Sequence, residues 1–159
     1  MFFWFLGVGT ILVAQVFQSP ALDYRMVMLG LVLPLADGVT GGEWFLHSLL
    51  ASIAALVIVM LATRRRRLVR RRWIGLPIGM FMHLVLDGVW TDARQFWWPL
   101  FGTSFKGALP ELDRGAVSLV LELIGIAAIV WGWRRFGFDD PRARGRFVHT
   151  GRLPRGLTA

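Results

Sequence analysis

Four long apolar runs set between blocks of arginine constrain this chain more than any other feature. They cover residues 1–17, 44–62, 73–90 and 116–133, each close to the roughly 20 apolar residues that carry a helix across a bilayer. Hydrocarbon offers no water to backbone N–H and C=O groups, so runs of this kind become helices. A fifth run, residues 26–36, is about half a span by the same measure and is expected to be re-entrant, interfacial or packed inside the protein. The expected fold is all-α: a polytopic transmembrane helical bundle of four spans plus one short apolar helix. The first run has no basic residues ahead of it and no convincing small-x-small cleavage site, so it is read as a retained helix.

Composition supports a membrane protein, since 55% of the residues are hydrophobic and 18% charged, and the apolar ones are bunched. There are no cysteines, which excludes disulfides, thiolate metal sites and thiol catalysis. The net charge of +8 comes from arginines that flank the spans: seven within Arg64–Arg72 and seven more from Arg134 to Arg155. Such clusters are read as topology determinants and anionic-lipid contacts, not as a nucleic-acid surface. The positive-inside rule then puts both clusters, and with four spans both termini, in the cytoplasm. The loop between the third and fourth runs has balanced charge and is expected outside. Residues 1–135 form the membrane domain, and residues 136–159 are expected to be a basic, poorly ordered cytoplasmic tail.

Ionisable groups inside the spans are costly and therefore candidates for function. His83 and Asp87 lie four residues apart in the third run, which sets them on one face of a helix. With the topology above, His47 in the second run and Glu122 in the fourth fall in the same outer half of the bundle. Asp37 ends the short run on that side, Glu43 precedes His47 by one turn, and Asp92 follows the third run. Gly75, Gly79, His83 and Asp87 recur every four residues, as do His47, Ala51 and Ala55. Small residues at that spacing let helices approach closely, so these two faces are expected to pack together. Pro77 is expected to kink the third span. Each polar group also has a structural reading: interhelical hydrogen bonds for His47, His83 and Glu122, and a turn at Asp37.

In order along the chain stand Leu33-Pro34-Leu35-Ala36-Asp37, His47-Ser48-Leu49-Leu50, Gly79-Met80-Phe81-Met82-His83-Leu84-Val85-Leu86-Asp87 and Phe96-Trp97-Trp98-Pro99-Leu100. This set resembles the bacterial inner-membrane proteins of the YdjM type, which carry a metal-dependent hydrolase label by inference. The resemblance implies that Asp37, His47, His83 and Asp87 are metal-site residues. It also has departures: Leu35 stands where the family has the first Asp of Asp-x-Asp, Phe45-Leu46 replace the residues that usually precede the His, and residues 1–17 contain no His. A single ion, Zn²⁺ or similar, held by two His and one or two Asp is what these residues still support. The chemistry implied is hydrolysis of a phosphoester or other lipid-linked, amphiphilic substrate by a metal-activated water, with Asp37 or Glu43 as general base. Two alternatives stand beside it. One is a non-catalytic membrane structural or interaction protein held by interhelical polar contacts. The other is a haem-binding bundle with His47 and His83 as axial ligands.

Overall fold

The computed structural model describes residues 1–40, 45–102 and 115–154, and over these the chain is helical with no strand. Its helices are α1 (Phe2–Phe17), α2 (Tyr24–Val32), α3 (Leu49–Ala62), α4 (Arg67–Trp73), α5 (Gly75–Asp87), α6 (Ala93–Phe96), α7 (Ala116–Arg135) and α8 (Pro141–Thr150). Turns of 3-10 helix at Leu33–Thr40, Phe45–His47 and Val89–Thr91 join them.

Local chemistry sets the ends. Asp23 starts α2 by accepting the Arg25 N–H at 3.1 Å, and the Ser48 hydroxyl starts α3 by accepting the Ala51 N–H at 3.2 Å. These satisfy amide groups that the first helical turn leaves without partners. Asp140 caps α8, with Pro141 at its first position. Gly88, at φ 75°, closes α5 in the left-handed conformation that a side chain would resist.

Those caps shorten the expected spans. Among the described residues one helix, α7, is long and apolar enough to cross a membrane by itself; α1 and α3 are shorter apolar helices. The second run spends its first residues on a 3-10 turn and a cap, so α3 begins at Leu49. The third yields a 13-residue α5, about 20 Å at 1.5 Å per residue. Four full-length spans are therefore not what the helix lengths support. Pro77 explains part of this. It offers no N–H to the Trp73 carbonyl, α4 ends at Trp73, and α5 begins anew at Gly75. Pro77 thus sits in a first helical turn and not at a mid-span kink.

Close backbone contacts define the bundle. A Cβ on Gly79 would lie 2.2 Å from the Val27 carbonyl, one on Gly30 would lie 2.1 Å from the Leu76 carbonyl, and one on Gly75 would lie 2.8 Å from the Asp23 carbonyl. Gly75 and Gly79 therefore pack against α2, the short apolar run, and not against the His47 face of α3 as expected. The same register makes α2 and α5 parallel. Within residues 26–36, Val27, Gly30 and Leu31 are buried against neighbouring helices, while Leu29 on the other side is 44% exposed.

A second close pair joins α1 to α7. A Cβ on Gly7 would stand 2.3 Å from the Gly125 carbonyl, and one on Gly125 would stand 2.3 Å from the Trp4 nitrogen. Ile11 reaches Gly132 further along, so these helices also run parallel. Glu122 locks the pair: its carboxylate accepts the N–H groups of Phe2 at 2.7 Å, Phe3 at 2.7 Å and Trp4 at 3.1 Å. A side chain of one helix thus caps the start of another. Trp4 meets Leu86 and Phe5 meets His83, so α1 is antiparallel to α5. Consequently the start of α1 lies at the opposite end of the bundle from the C-terminus of α7. An even number of spans would have brought the two termini together.

Large apolar side chains cover the outside. Ile58, Leu61, Leu119 and Leu123 are all more than half exposed, and on α7 only Gly125 and Gly132 are buried. A helix of this kind is costly in water and at home in lipid, where small-residue packing joins helices.

The tail departs from expectation. Residues 141–150 form α8, and Phe138, Phe147 and Leu153 pack against the core of Val13, Leu22, Val27, Leu31 and Phe136. The Tyr24 N–H donates to the Gly151 carbonyl at 2.7 Å, and a Cβ on Gly151 would overlap the Asp23 carboxylate. Phenylalanines spaced along a mostly polar segment, together with this backbone bond, dock it.

Candidate functional site

At the end of the bundle where α1 begins, four polar residues from the sequence-based set are buried together. Asp37 comes from the 3-10 segment after α2, His47 from the turn before α3, and His83 and Asp87 from the last two turns of α5. His47 and His83 are each 0% exposed and Asp87 is 2% exposed. Such burial requires hydrogen bonding, and the structure supplies it.

His83 is tied to α2. Its Nδ1 lies 2.6 Å from the Leu31 carbonyl oxygen, which can only accept, so Nδ1 carries the proton and donates. In the neutral ring that assignment makes Nε2 the lone-pair nitrogen. His47 Nδ1 lies 3.0 Å from Asp37 Oδ2, the same orientation by a carboxylate. The two imidazoles meet edge to face with centroids 5.3 Å apart. Phe5 stacks on His83 at 3.9 Å, so the rings sit in a packed cluster and a porphyrin plate does not fit between them. A bis-His haem is therefore not what this geometry accommodates.

Asp37, His47 and His83 are brought together, and Asp87 follows one turn above His83 on α5. Glu122 is not part of the group, because its carboxylate is committed to the start of α1. Asp92 caps the short α6 by accepting the Arg94 N–H at 3.1 Å. Glu43 lies outside the described residues. Among the described residues no group of three or more His, Asp or Glu side chains is arranged to hold a metal ion. Two imidazoles oriented through Nδ1 and two carboxylates are nonetheless a donor set of the right chemistry for a divalent ion.

Sequence reasoning missed Phe5 and the Leu31 carbonyl. Phe5, Gly9 and Val13 are buried at four-residue spacing on α1, a stripe that marks Phe5 as inward-facing. The carbonyl belongs to the backbone and has no side-chain signal. An apolar cavity of about 350 Å³ runs between the end of α1, α3 and the first turns of α5, lined by Phe17, Leu49, Ser52, Leu56, Phe81 and Met82 among others; none of the four site residues lines it.

Searches of the curated proteins and of the solved structures returned no match to the chain. The family model described as YdjM inner membrane protein matches residues 5–141, which include both close helix pairs and the whole buried polar group. Over that length the chain belongs to the YdjM inner membrane protein family.

Proposed function

We propose that this membrane protein is a metal-dependent hydrolase acting on a phosphoester, or another lipid-linked amphiphilic substrate, at the Asp37–His47–His83–Asp87 group. The observation that carries this is the orientation of two buried imidazoles through their Nδ1 atoms, one by a carboxylate and one by a backbone carbonyl. Metal-ligating histidines are held in this way, by a hydrogen bond from the ring nitrogen that does not bind the metal. His47 and His83 would supply nitrogens and Asp87 an oxygen. A divalent ion such as Zn²⁺ supplies a water that ionises near neutral pH and an electrophile for a phosphoryl oxygen. Asp37 fixes the His47 tautomer and is the base within reach. The apolar cavity between α1, α3 and α5 suits the hydrocarbon part of an amphiphile.

The positive-inside rule puts the arginine-rich end in the cytoplasm, so the site lies towards the outer face of the inner membrane. A second reading rests on the same His83 to Leu31 bond, which ties α5 to α2 and suits a purely structural polar lock.

Elemental analysis of purified protein separates the two. About one equivalent of bound metal is expected in the wild type, and its loss in both His47→Ala and His83→Ala at unchanged helicity. Wild type without stoichiometric metal, combined with lowered melting of both variants, would leave only the structural lock.

A further inference from the structure

The opposite end of the bundle holds a polar cavity, of about 210 Å³, between the start of α2, α4 and the end of α8. Asp23, Arg25, Arg71, Arg72, His149 and Arg152 line it. The single carboxylate is fully engaged: Asp23 Oδ1 accepts the Arg25 backbone N–H at 3.1 Å and Nε at 3.0 Å, while Oδ2 accepts Arg25 Nη2 at 2.7 Å and faces Arg72 Nε at 3.5 Å. Four arginines thus line a cavity that holds one buried carboxylate; Arg25 and Arg72 reach that carboxylate, and among the described residues neither Arg71 nor Arg152 meets an acidic partner.

This is a built arrangement and not a loose basic tail. The Gly151 backbone passes so close to Asp23 that no side chain fits there, and Tyr24 donates to the Gly151 carbonyl at 2.7 Å. Arg25 also reaches the Val148 carbonyl. These contacts set His149 and Arg152 on the rim opposite Arg71 and Arg72. Leu68 lines the same cavity and is 79% exposed, and Trp73 beside Arg72 is 41% exposed. Arginines next to exposed apolar and indole side chains match the headgroup level of a bilayer.

We infer that this cavity binds a phosphoryl anion, which at this depth is the headgroup of an anionic phospholipid. Guanidinium forks match phosphate oxygens in pairs, and the volume exceeds that of a phosphate ion, leaving room for the ester-linked carbons. The site is separate from the His47–His83 group and does not depend on hydrolysis.

The test is native mass spectrometry of the full chain in detergent, titrated with phosphatidylglycerol, phosphatidylcholine or inorganic phosphate. Wild type is expected to retain one phosphatidylglycerol in preference to phosphatidylcholine. Removing two charges with Arg71→Gln and Arg152→Gln is expected to weaken that binding about thirtyfold. Arg65→Gln with Arg134→Gln, which removes equal charge outside the cavity, is expected to leave it unchanged. Should the first pair fail to fold, Arg152→Gln against Arg65→Gln gives the same comparison at about fivefold. Inorganic phosphate bound in an Arg71- and Arg152-dependent way, with no lipid preference, would keep the phosphoryl site and name free phosphate as its source. Equal retention of both lipids without phosphate binding, or equal weakening by both pairs, would overturn the site.

Discussion

A single methyl group at Gly79 tests whether α2 and α5 approach as closely as the structure has them. The added Cβ would stand 2.2 Å from the Val27 carbonyl oxygen, 2.8 Å from the Leu31 nitrogen and 2.9 Å from the Gly30 Cα. All three are backbone atoms, so no side chain can yield and the helices must part by about 1 Å. Overpacking of that kind costs about 1–3 kcal/mol. The displacement also reaches the candidate site, since His83 Nδ1 and the Leu31 carbonyl are 2.6 Å apart one turn along. Opened by about 1 Å, that contact is no longer a hydrogen bond, and a buried polar pair left unmatched costs about 1–3 kcal/mol more. Gly79→Ala is thus expected to destabilise by about 2–6 kcal/mol. Tryptophan fluorescence during thermal unfolding of the detergent-purified chain reads this as a clear drop in melting temperature. Gly145→Ala is the control: a Cβ there meets nothing within 4 Å, and alanine favours the exposed α8 helix by up to about 1 kcal/mol. In the His83→Ala background the Gly79→Ala penalty should shrink, because the hydrogen bond is already gone. Equal melting of Gly79→Ala and wild type would refute the close α2–α5 contact, and a full penalty without His83 would refute its link to the site.

Glu122→Ala removes the acceptor of three α1 amide groups and is expected to cost about 2 kcal/mol; hydrogen exchange at Phe2–Trp4 should accelerate, and unchanged exchange there would refute the cap. Ser48→Ala is expected to cost about 1 kcal/mol through loss of the Ala51 bond, read as lowered melting, while no change would mean that the turn at 45–47 starts α3 unaided. Asp37→Asn leaves the shape of the His47 partner but removes its charge; if His47 ligates a metal, affinity should fall about 10- to 100-fold in a metal titration, and unaltered affinity would remove Asp37 from the site.

Much of this protein follows from local pattern. Apolar runs in lipid must be helical because nothing else satisfies their backbone, and that alone establishes the class. His83 and Asp87 share a face because four residues make about one turn, and the buried His47 and Asp37 join them as their depth along the chain suggests. The ends of α3, α5 and α8 follow from Ser48, Gly88 and Asp140-Pro141 in the same local way.

Partner choice was another matter. The Gly75–Gly79 face reads as a contact surface, and the matching spacing of His47, Ala51 and Ala55 points to α3 as its partner; only the assembled bundle selects α2. Glu122 reads as a buried acid near the site, and its actual role depends on three amide groups about 120 residues away in the chain. The direction of α1 and the docking of α8 depend likewise on backbone carbonyls and amides that look the same at every position in the sequence. Periodicity is a property of neighbours along the chain, so sequence exposes it. Which backbone meets which is decided by where small residues let two helices touch, and that exists only in the folded bundle.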